Sequence, residues 1–264
     1  METNIQSKGF MLVKILNDKY VDSFKSGQLF MRRLKEFRDD EVNPARGDRC
    51  ETLISTNPIS GEFFLKQIYT GDDFERLKKM VTDVHFYDER CAYYNVFCMY
   101  SLEIDENENF IKPDKQLNEF NDKDKKEKQS AVIVFNSNEF MRRVYSAINK
   151  NFSKTQFCMA DRVSYDIDFS QERTYYVFSK LPKYSYQNEF RICVDLYEGK
   201  MPLEVYNRYT DFAKLTMPPV EISDKVFKEF ILDIGDISDI CFSVPLEEFV
   251  EFKGIKEKIY ERIK

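Results

Sequence analysis

The sequence predicts an α+β fold in which a mixed, curved and antiparallel-rich sheet carries helices at its periphery. Strand-like segments, either apolar throughout or alternating, outnumber segments with helical periodicity, and the two kinds do not alternate regularly. The strongest strand candidate, "AYYNVFCMYSLEI" at 92–104, is apolar on both faces, which is typical of a central strand. There is no internal repeat and no convincing domain boundary, so residues 1–264 are predicted to form a single domain.

The elements of the N-terminal half follow from apolar runs and the residues that interrupt them. In order, the sequence predicts a strand at 9–16, a helix that begins at Asn17 or Asp18 and stops at Gly27, a strand with some helical character at 28–37, a polar loop at 38–51, strands at 52–55 and 61–69, a helix at 72–81 and the central strand.

The C-terminal half is predicted by the same signals. They indicate a strand at 130–135, a helix at 136–152, an alternating strand at 157–169, a segment ambiguous between helix and strand at 172–187, a strand at 188–197, two strands about the Gly235–Asp236 turn and a closing helix from Pro245. Residues 105–129 between the two halves are dense in charges of both signs. We expect them to form a solvated and mobile excursion.

Composition excludes several classes of function. The net charge of -6 disfavours a wholesale nucleic-acid coat, and the one histidine, His85, makes a His-based zinc site or a Ser-His-Asp triad improbable. Neither a Walker nor a Rossmann glycine motif occurs, and no metal site is predicted. Six scattered cysteines without C-x-x-C spacing, no signal peptide and no apolar run of ~20 residues indicate a cytoplasmic protein without a membrane segment.

One short stretch, "YSYQNEFRICVD", combines polar and apolar residues in a pattern that suggests a site. Because side chains at i and i+2 of a strand share a face, Gln187, Glu189 and Arg191 are predicted to form one polar row. That row faces solvent or a cleft if the apolar face packs on the core. Alternatively, the pattern is an ordinary strand end in which Glu189 pairs with Arg191 or with a neighbouring strand.

The order of these residues resembles the Q-x-E or E-x-E signature with which ADP-ribosyltransferases open a late core strand. The resemblance implies that NAD is the substrate, that the catalytic Glu189 stabilises the oxocarbenium-like charge, and that Gln187 orients the acceptor. The residues it suggests for NAD binding are Arg49 or Arg32 for the phosphates, Tyr100 and Ser101 in place of a serine strand, and Tyr186 and Arg191 beside the motif.

A second resemblance spans nearly the whole chain. The segments "GQLFMRRLKEFRDD", "RGDRCE", "NVFCMYSL", "YQNEFRI" and "ILDIGDISDICFSVPLEEF" follow the layout of an uncharacterised bacterial family found in defence-type gene neighbourhoods, with a Y-x-x-E-x-R strand. It implies one continuous fold and a setting in phage defence or as a toxin. It implies no reaction.

Two other functions remain open from the residues. The first is a non-catalytic recognition or sensor protein that binds a phage protein or a nucleic acid through residues 38–51 and the charged excursion. The second is a nuclease effector that uses the acids Asp166, Asp168, Glu189 and Asp195, although the expected E-x-K strand is missing.

Overall fold

The structure is a computed structural model, and it describes residues 9–39, 48, 50–57, 71, 84–120, 127–152, 158–170 and 173–263. Its strands are β1 (Gly9–Asn17), β2 (Gln28–Arg33), β3 (Leu53–Asn57), β4 (Val84–Tyr87), β5 (Asn95–Ile104), β6 (Gln129–Val134), β7 (Cys158–Arg162), β8 (Arg173–Thr174), β9 (Glu189–Val194), β10 (Met201–Pro202), β11 (Ile222–Ser223), β12 (Glu229–Asp233) and β13 (Cys241–Pro245).

The α-helices of the described residues are α1 (Val21–Lys25), α2 (Leu34–Arg38), α3 (Ser137–Asn151), α4 (Leu203–Tyr206), α5 (Asp211–Thr216), α6 (Leu246–Glu251) and α7 (Ile255–Ile263). Short 3-10 helices lie at Asp18–Tyr20, Cys91–Tyr93, Lys115–Phe120 and Pro182–Gln187. The predicted strand at 61–69 and helix at 72–81 lie outside the described residues.

The main sheet confirms the predicted α+β class. It joins eight of the described strands, pairs them antiparallel throughout and does not close into a barrel. A parallel pair, β10 with β11, and a small sheet of β4, β3 and β8 accompany it. The apolar side chains of α3 cover one face, and those of α6 and α7 pack against the other.

The sheet forks at β5, the predicted central strand. One side of β5 pairs with β9 along its first six residues, while the other side pairs with β2 at Asn95 and Val96 and with β1 from Tyr100 onward. Lys14 of β1 reaches into this fork, where its Nζ donates to the Cys98 carbonyl at 2.6 Å and lies 4.1 Å from the centroid of the Phe97 ring. A lysine in the apolar run of β1 therefore satisfies a backbone carbonyl that lies between the two branches.

The helix predicted at 136–152 is confirmed as α3. The Asn136 side chain accepts a hydrogen bond from the Glu139 N–H at 3.0 Å, as an N-cap should, and Phe140, Val144 and Ile148 are buried at spacings of four residues. The final helix is divided in two, because Phe252 and Gly254 both adopt positive φ between α6 and α7.

In the C-terminal half, one predicted strand is shorter in the structure, an ambiguous segment is resolved, and one predicted pair of strands is confirmed. The strand expected at 157–169 is shorter, ending at Arg162, and the ambiguous segment becomes the short β8, a loop and a 3-10 helix. The two strands about Gly235–Asp236 both form, but β12 pairs with β2 and β13 pairs with β6, so the turn does not close a hairpin.

Most described side chains of the charged excursion from Glu106 to Asn118 are exposed, as a solvated segment requires, but the segment is also packed against the fold. Phe110 forms an isolated bridge with Ile104, and Leu117 is completely buried in the cluster that contains α6 and α7. Two apolar anchors therefore fasten a segment whose composition is otherwise polar. Residues 121–126 lie outside the described part of the chain.

The helices in the described ranges are all too short or too polar to cross a bilayer. All six cysteines are free thiols.

Gly27 allows the chain to leave α1 and enter β2. Its φ is +93°, and a Cβ placed on it would overlap the Gly235 carbonyl, while the Gly27 carbonyl accepts the Ile234 N–H at 3.0 Å. We expect Gly27→Ala to lower the free energy of unfolding by about 3–5 kcal/mol, since it adds overlap to left-handed strain.

The matched control is Gly254→Ala. Gly254 has a φ of +66° with open space around its Cβ position, so only the left-handed strain of about 1–2 kcal/mol should appear. Urea denaturation measures both values, and equal losses would contradict the close approach of Gly27 to Gly235.

Candidate functional site

The predicted polar row does not lie along one strand. Gln187 ends the 3-10 helix Pro182–Gln187, Asn188 adopts a left-handed φ of 35°, and only Glu189 and Arg191 belong to β9. Every residue of β9 is buried, and Glu189 is 5% exposed. The expectation that this row faces solvent or a cleft is therefore wrong, because other segments cover both faces of the strand.

The alternative, in which Glu189 pairs with Arg191, is confirmed and extended. Arg191 donates from Nε to Glu189 Oε1 at 2.8 Å, and its two terminal nitrogens contact both oxygens of Glu51 at 2.9 Å. Lys180 Nζ lies 2.7 Å from Glu189 Oε2 and 3.5 Å from Glu51 Oε1. We call these two acids and two bases, Glu51, Lys180, Glu189 and Arg191, the four-charge cluster.

The four-charge cluster joins segments that are distant in sequence. Glu51 precedes β3, Lys180 lies in the loop after β8, and Glu189 and Arg191 belong to β9. Arg191 also donates to the Val177 carbonyl, and Gln187 Oε1 accepts from Lys180 Nζ at 2.9 Å. The predicted acceptor-orienting amide is thus buried against a lysine, and Lys180 is a site residue that the sequence did not single out.

Burial and charge act in opposite directions on the four-charge cluster. Burial would raise the pKa of Glu189, but Arg191 and Lys180 hold it well below its ordinary value. Burial would lower the pKa of Lys180, yet Glu189 and Glu51 raise it, and the same two acids raise the pKa of Arg191. Lys180, Glu189 and Arg191 are therefore held in their charged forms. Removing one of these side chains would leave an uncompensated buried charge.

Asp48 lies beside the four-charge cluster in sequence, and burial affects its carboxyl differently from that of Glu189. It is 1% exposed; its Oδ1 accepts the Cys50 N–H at 2.9 Å, and its Oδ2 has no hydrogen-bond partner among the described residues. Burial, together with the negative charge of Glu51, raises the pKa of this carboxyl. The ionised form of Asp48 is therefore unfavourable in the folded protein.

An open cleft of about 340 Å³ lies next to the start of β9. Tyrosines and charged side chains form much of its wall: Tyr100, Tyr165, Tyr186, Glu103, Lys112, Asp114 and Arg162, with Val163, Ser185 and Asn188 completing it. Arg162 forms an ion pair with Glu103 and donates to Asn188 Oδ1 at 3.2 Å. Lys112 and Asp114 are exposed and form no ion pair with any described residue.

The cleft and the four-charge cluster meet at the backbone of Glu189. The Tyr165 hydroxyl accepts the Glu189 N–H at 2.8 Å, and burial raises the pKa of that phenol. Asn188 Nδ2 donates to the Ser101 carbonyl at 2.6 Å, which fixes the left-handed residue against β5. The backbone of Glu189 thus borders the cleft wall while its carboxylate points into the buried cluster.

The residues suggested for NAD binding lie in different parts of the fold. Tyr100 and Tyr186 line the cleft together, and burial raises the pKa of Tyr100 to about 12. Ser101 is completely buried in β5, and Arg191 belongs to the four-charge cluster. Arg32, on β2, lies over the Phe37 ring at 5.8 Å, and Arg49 lies outside the described residues.

The nuclease candidates and the histidine do not converge. Asp195 pairs with Arg90 at 3.0 Å, and Asp168 accepts from the Ser170 backbone and hydroxyl. His85 lies in β4, opposite Thr56. Among the described residues, no three His, Cys, Asp or Glu side chains are placed to hold a metal ion.

The chain has no match among protein-family models, curated proteins or solved structures.

We expect Glu189→Gln to lower the free energy of unfolding by about 3–5 kcal/mol at pH 7, because it leaves Arg191 and Lys180 buried with one acid between them. The pKa of Glu189 is depressed by folding. Its stabilising contribution is therefore present above the unfolded value near ~4.3 and is lost as the pH falls below it. Denaturant unfolding at a series of pH values should show the gap between variant and wild type narrowing in acid.

The control for this prediction is Glu248→Gln, which removes one charge from an exposed pair with Lys258 at 3.0 Å. It should cost less than about 1 kcal/mol. A loss as small as this for Glu189→Gln would contradict the structural role of the four-charge cluster.

Asp48→Asn should have the opposite effect. Because the pKa of Asp48 is raised by folding, its ionised form destabilises the protein above the unfolded value near ~3.9. The asparagine variant can keep the bond from the Cys50 N–H, and it should unfold at a higher urea concentration than wild type at pH 7, with the difference vanishing in acid. A less stable variant at pH 7 would show that an unseen partner holds Oδ2.

Proposed function

We propose that this chain is a non-catalytic recognition protein that binds a polypeptide segment of its target in the open cleft beside β9. The observation that carries the proposal is the engagement of Glu189: one carboxylate oxygen contacts Arg191 and the other contacts Lys180, both within a buried cluster. An acid held in this way stabilises the fold and has no free oxygen to offer a substrate.

The composition of the cleft supports a polypeptide ligand. Tyrosine side chains are enriched in protein interfaces, and three of them line this wall. Lys112 and Asp114 offer one charge of each sign that no described residue pairs with, which suits a chain that carries both. The carboxylates of Glu103 and Asp114, with the net charge of -6, oppose a polyanionic nucleic acid.

The proposal keeps one element of the recognition hypothesis derived from the sequence. Lys112 and Asp114 belong to the charged segment that starts at Asp105, and this segment is packed so that both side chains line the cleft. A target in phage defence is in keeping with the resemblance to the defence-associated family, and it remains a prediction.

An ADP-ribosyltransferase that uses NAD is the second candidate, favoured by one specific observation. Tyr100 and Tyr186, two of the residues suggested for NAD, line the same cleft, and Tyr165 of that cleft contacts the Glu189 backbone. Catalysis would require the Glu189 carboxylate to leave both Lys180 and Arg191 and turn toward the cleft. That exchange would leave two buried cations without this acid.

NAD consumption separates the two candidates. We expect the wild-type protein to show neither NAD hydrolysis nor transfer to protein, and calorimetry to detect no NAD binding. Turnover that is lost in Tyr186→Phe or in a folded Glu189→Gln variant would replace the recognition proposal with the enzyme.

Peptide selection tests the cleft itself. Peptides selected from a displayed random library against the wild-type protein should bind Lys112→Glu at least about tenfold more weakly, equivalent to about 1.4 kcal/mol. The matched control is Lys253→Glu, which makes the same charge change at an exposed residue outside the cleft and should leave affinity within about twofold. Equal affinity for both variants would place the binding surface elsewhere, and selective binding of single-stranded oligonucleotides would favour a nucleic-acid target.

A further inference from the structure

The strand β12 ends one branch of the main sheet. Among the described residues it pairs only with β2, and the pairing runs from Glu229 opposite Arg32 to Asp233 opposite Gln28 without a register shift. Its outer edge therefore presents a row of backbone N–H and C=O groups to which another strand can bond. No proline or bulge interrupts this edge.

The two faces of β12 differ. On one face, Leu232 is buried, and Phe230 packs edge-on against Phe152, with the ring centroids 5.3 Å apart. On the other face, Ile231 is 54% exposed and lies directly opposite Phe30, which is 49% exposed. Within the described part of the chain, an open sheet edge and an exposed apolar pair thus occur at the same place, and an added strand would cover both.

A second copy of the chain fits this edge poorly. Antiparallel self-pairing centred on Ile231 would set Glu229 opposite Asp233 twice, and like charges directly opposite each other destabilise a sheet. Centring the pair on Phe230 or on Leu232 instead sets Ile231 opposite an acid. Each antiparallel register that keeps the exposed faces of the two copies on the same side of the sheet therefore opposes self-association.

We propose that the outer edge of β12 binds an extended segment of a partner protein in which two basic residues flank an apolar one, in the pattern basic-x-apolar-x-basic. The apolar side chain of this segment packs beside Ile231 and Phe30, and its two cations face Glu229 and Asp233. The main-chain bonds of the added strand provide affinity, and the two acids select the partner by charge. The inference rests on this edge and is independent of the cleft.

Fluorescence anisotropy with two labelled peptides tests the inference. The probes are Thr-Lys-Thr-Ile-Thr-Lys-Thr and its acidic counterpart Thr-Glu-Thr-Ile-Thr-Glu-Thr. Wild-type protein should bind the basic peptide and not the acidic one. In Glu229→Lys/Asp233→Lys the preference should reverse, with affinity for the basic peptide reduced at least about tenfold.

The matched control is Glu257→Lys/Glu261→Lys, which makes the same charge change at exposed residues of α7 and should retain the preference of the wild type. The failure of wild-type protein to bind the basic peptide would overturn the inference, as would equal losses in the two double variants. A wild-type dimer in sedimentation velocity that Glu229→Lys/Asp233→Lys abolishes would also overturn it, because a second copy would then occupy the edge.

Discussion

The centre of this structure depends on the contacts that the guanidinium of Arg191 makes. It holds both oxygens of Glu51, one oxygen of Glu189 and a backbone carbonyl, and it is 1% exposed. Glu51 lies 140 residues away in the sequence, so this one side chain ties β9 to the segment before β3. A planar, permanently charged fork is suited to such bidentate contacts, and a lysine at the same position could not satisfy both acids in this geometry.

The parts of the fold that the sequence predicts are those with a continuous local signal. The uninterrupted apolar runs of β1 and β5 and the regular spacing of Phe140, Val144 and Ile148 in α3 each report burial directly. For the segment from Asp105, the sequence did not predict that Phe110 and Leu117 pack against the rest of the fold, because the composition of the segment is mostly polar. Two apolar residues among many charges carry no periodicity, so local patterning could not reveal that packing.

The candidate site was predictable in part, and the reason lies in the backbone. The pairing of Glu189 with Arg191 follows from their i, i+2 spacing within β9, and the structure bears it out. The position of Gln187 does not follow from that rule, because a 3-10 helix and the left-handed Asn188 interrupt the strand before it. Lys180 and Glu51 reach Glu189 only through the tertiary fold, and no local motif in the sequence records their approach.

The position of Glu189 links the buried four-charge cluster physically to the cleft. Its carboxylate binds Arg191 and Lys180 on the buried side, while its N–H bonds the Tyr165 hydroxyl at the wall of the cleft. A rearrangement that freed the carboxylate for chemistry would also disturb the tyrosine that shapes the cleft and would leave buried cations underneath. The shape of the cleft therefore depends on the intact four-charge cluster, and the acid that most resembles a catalytic residue keeps the start of β9 in place.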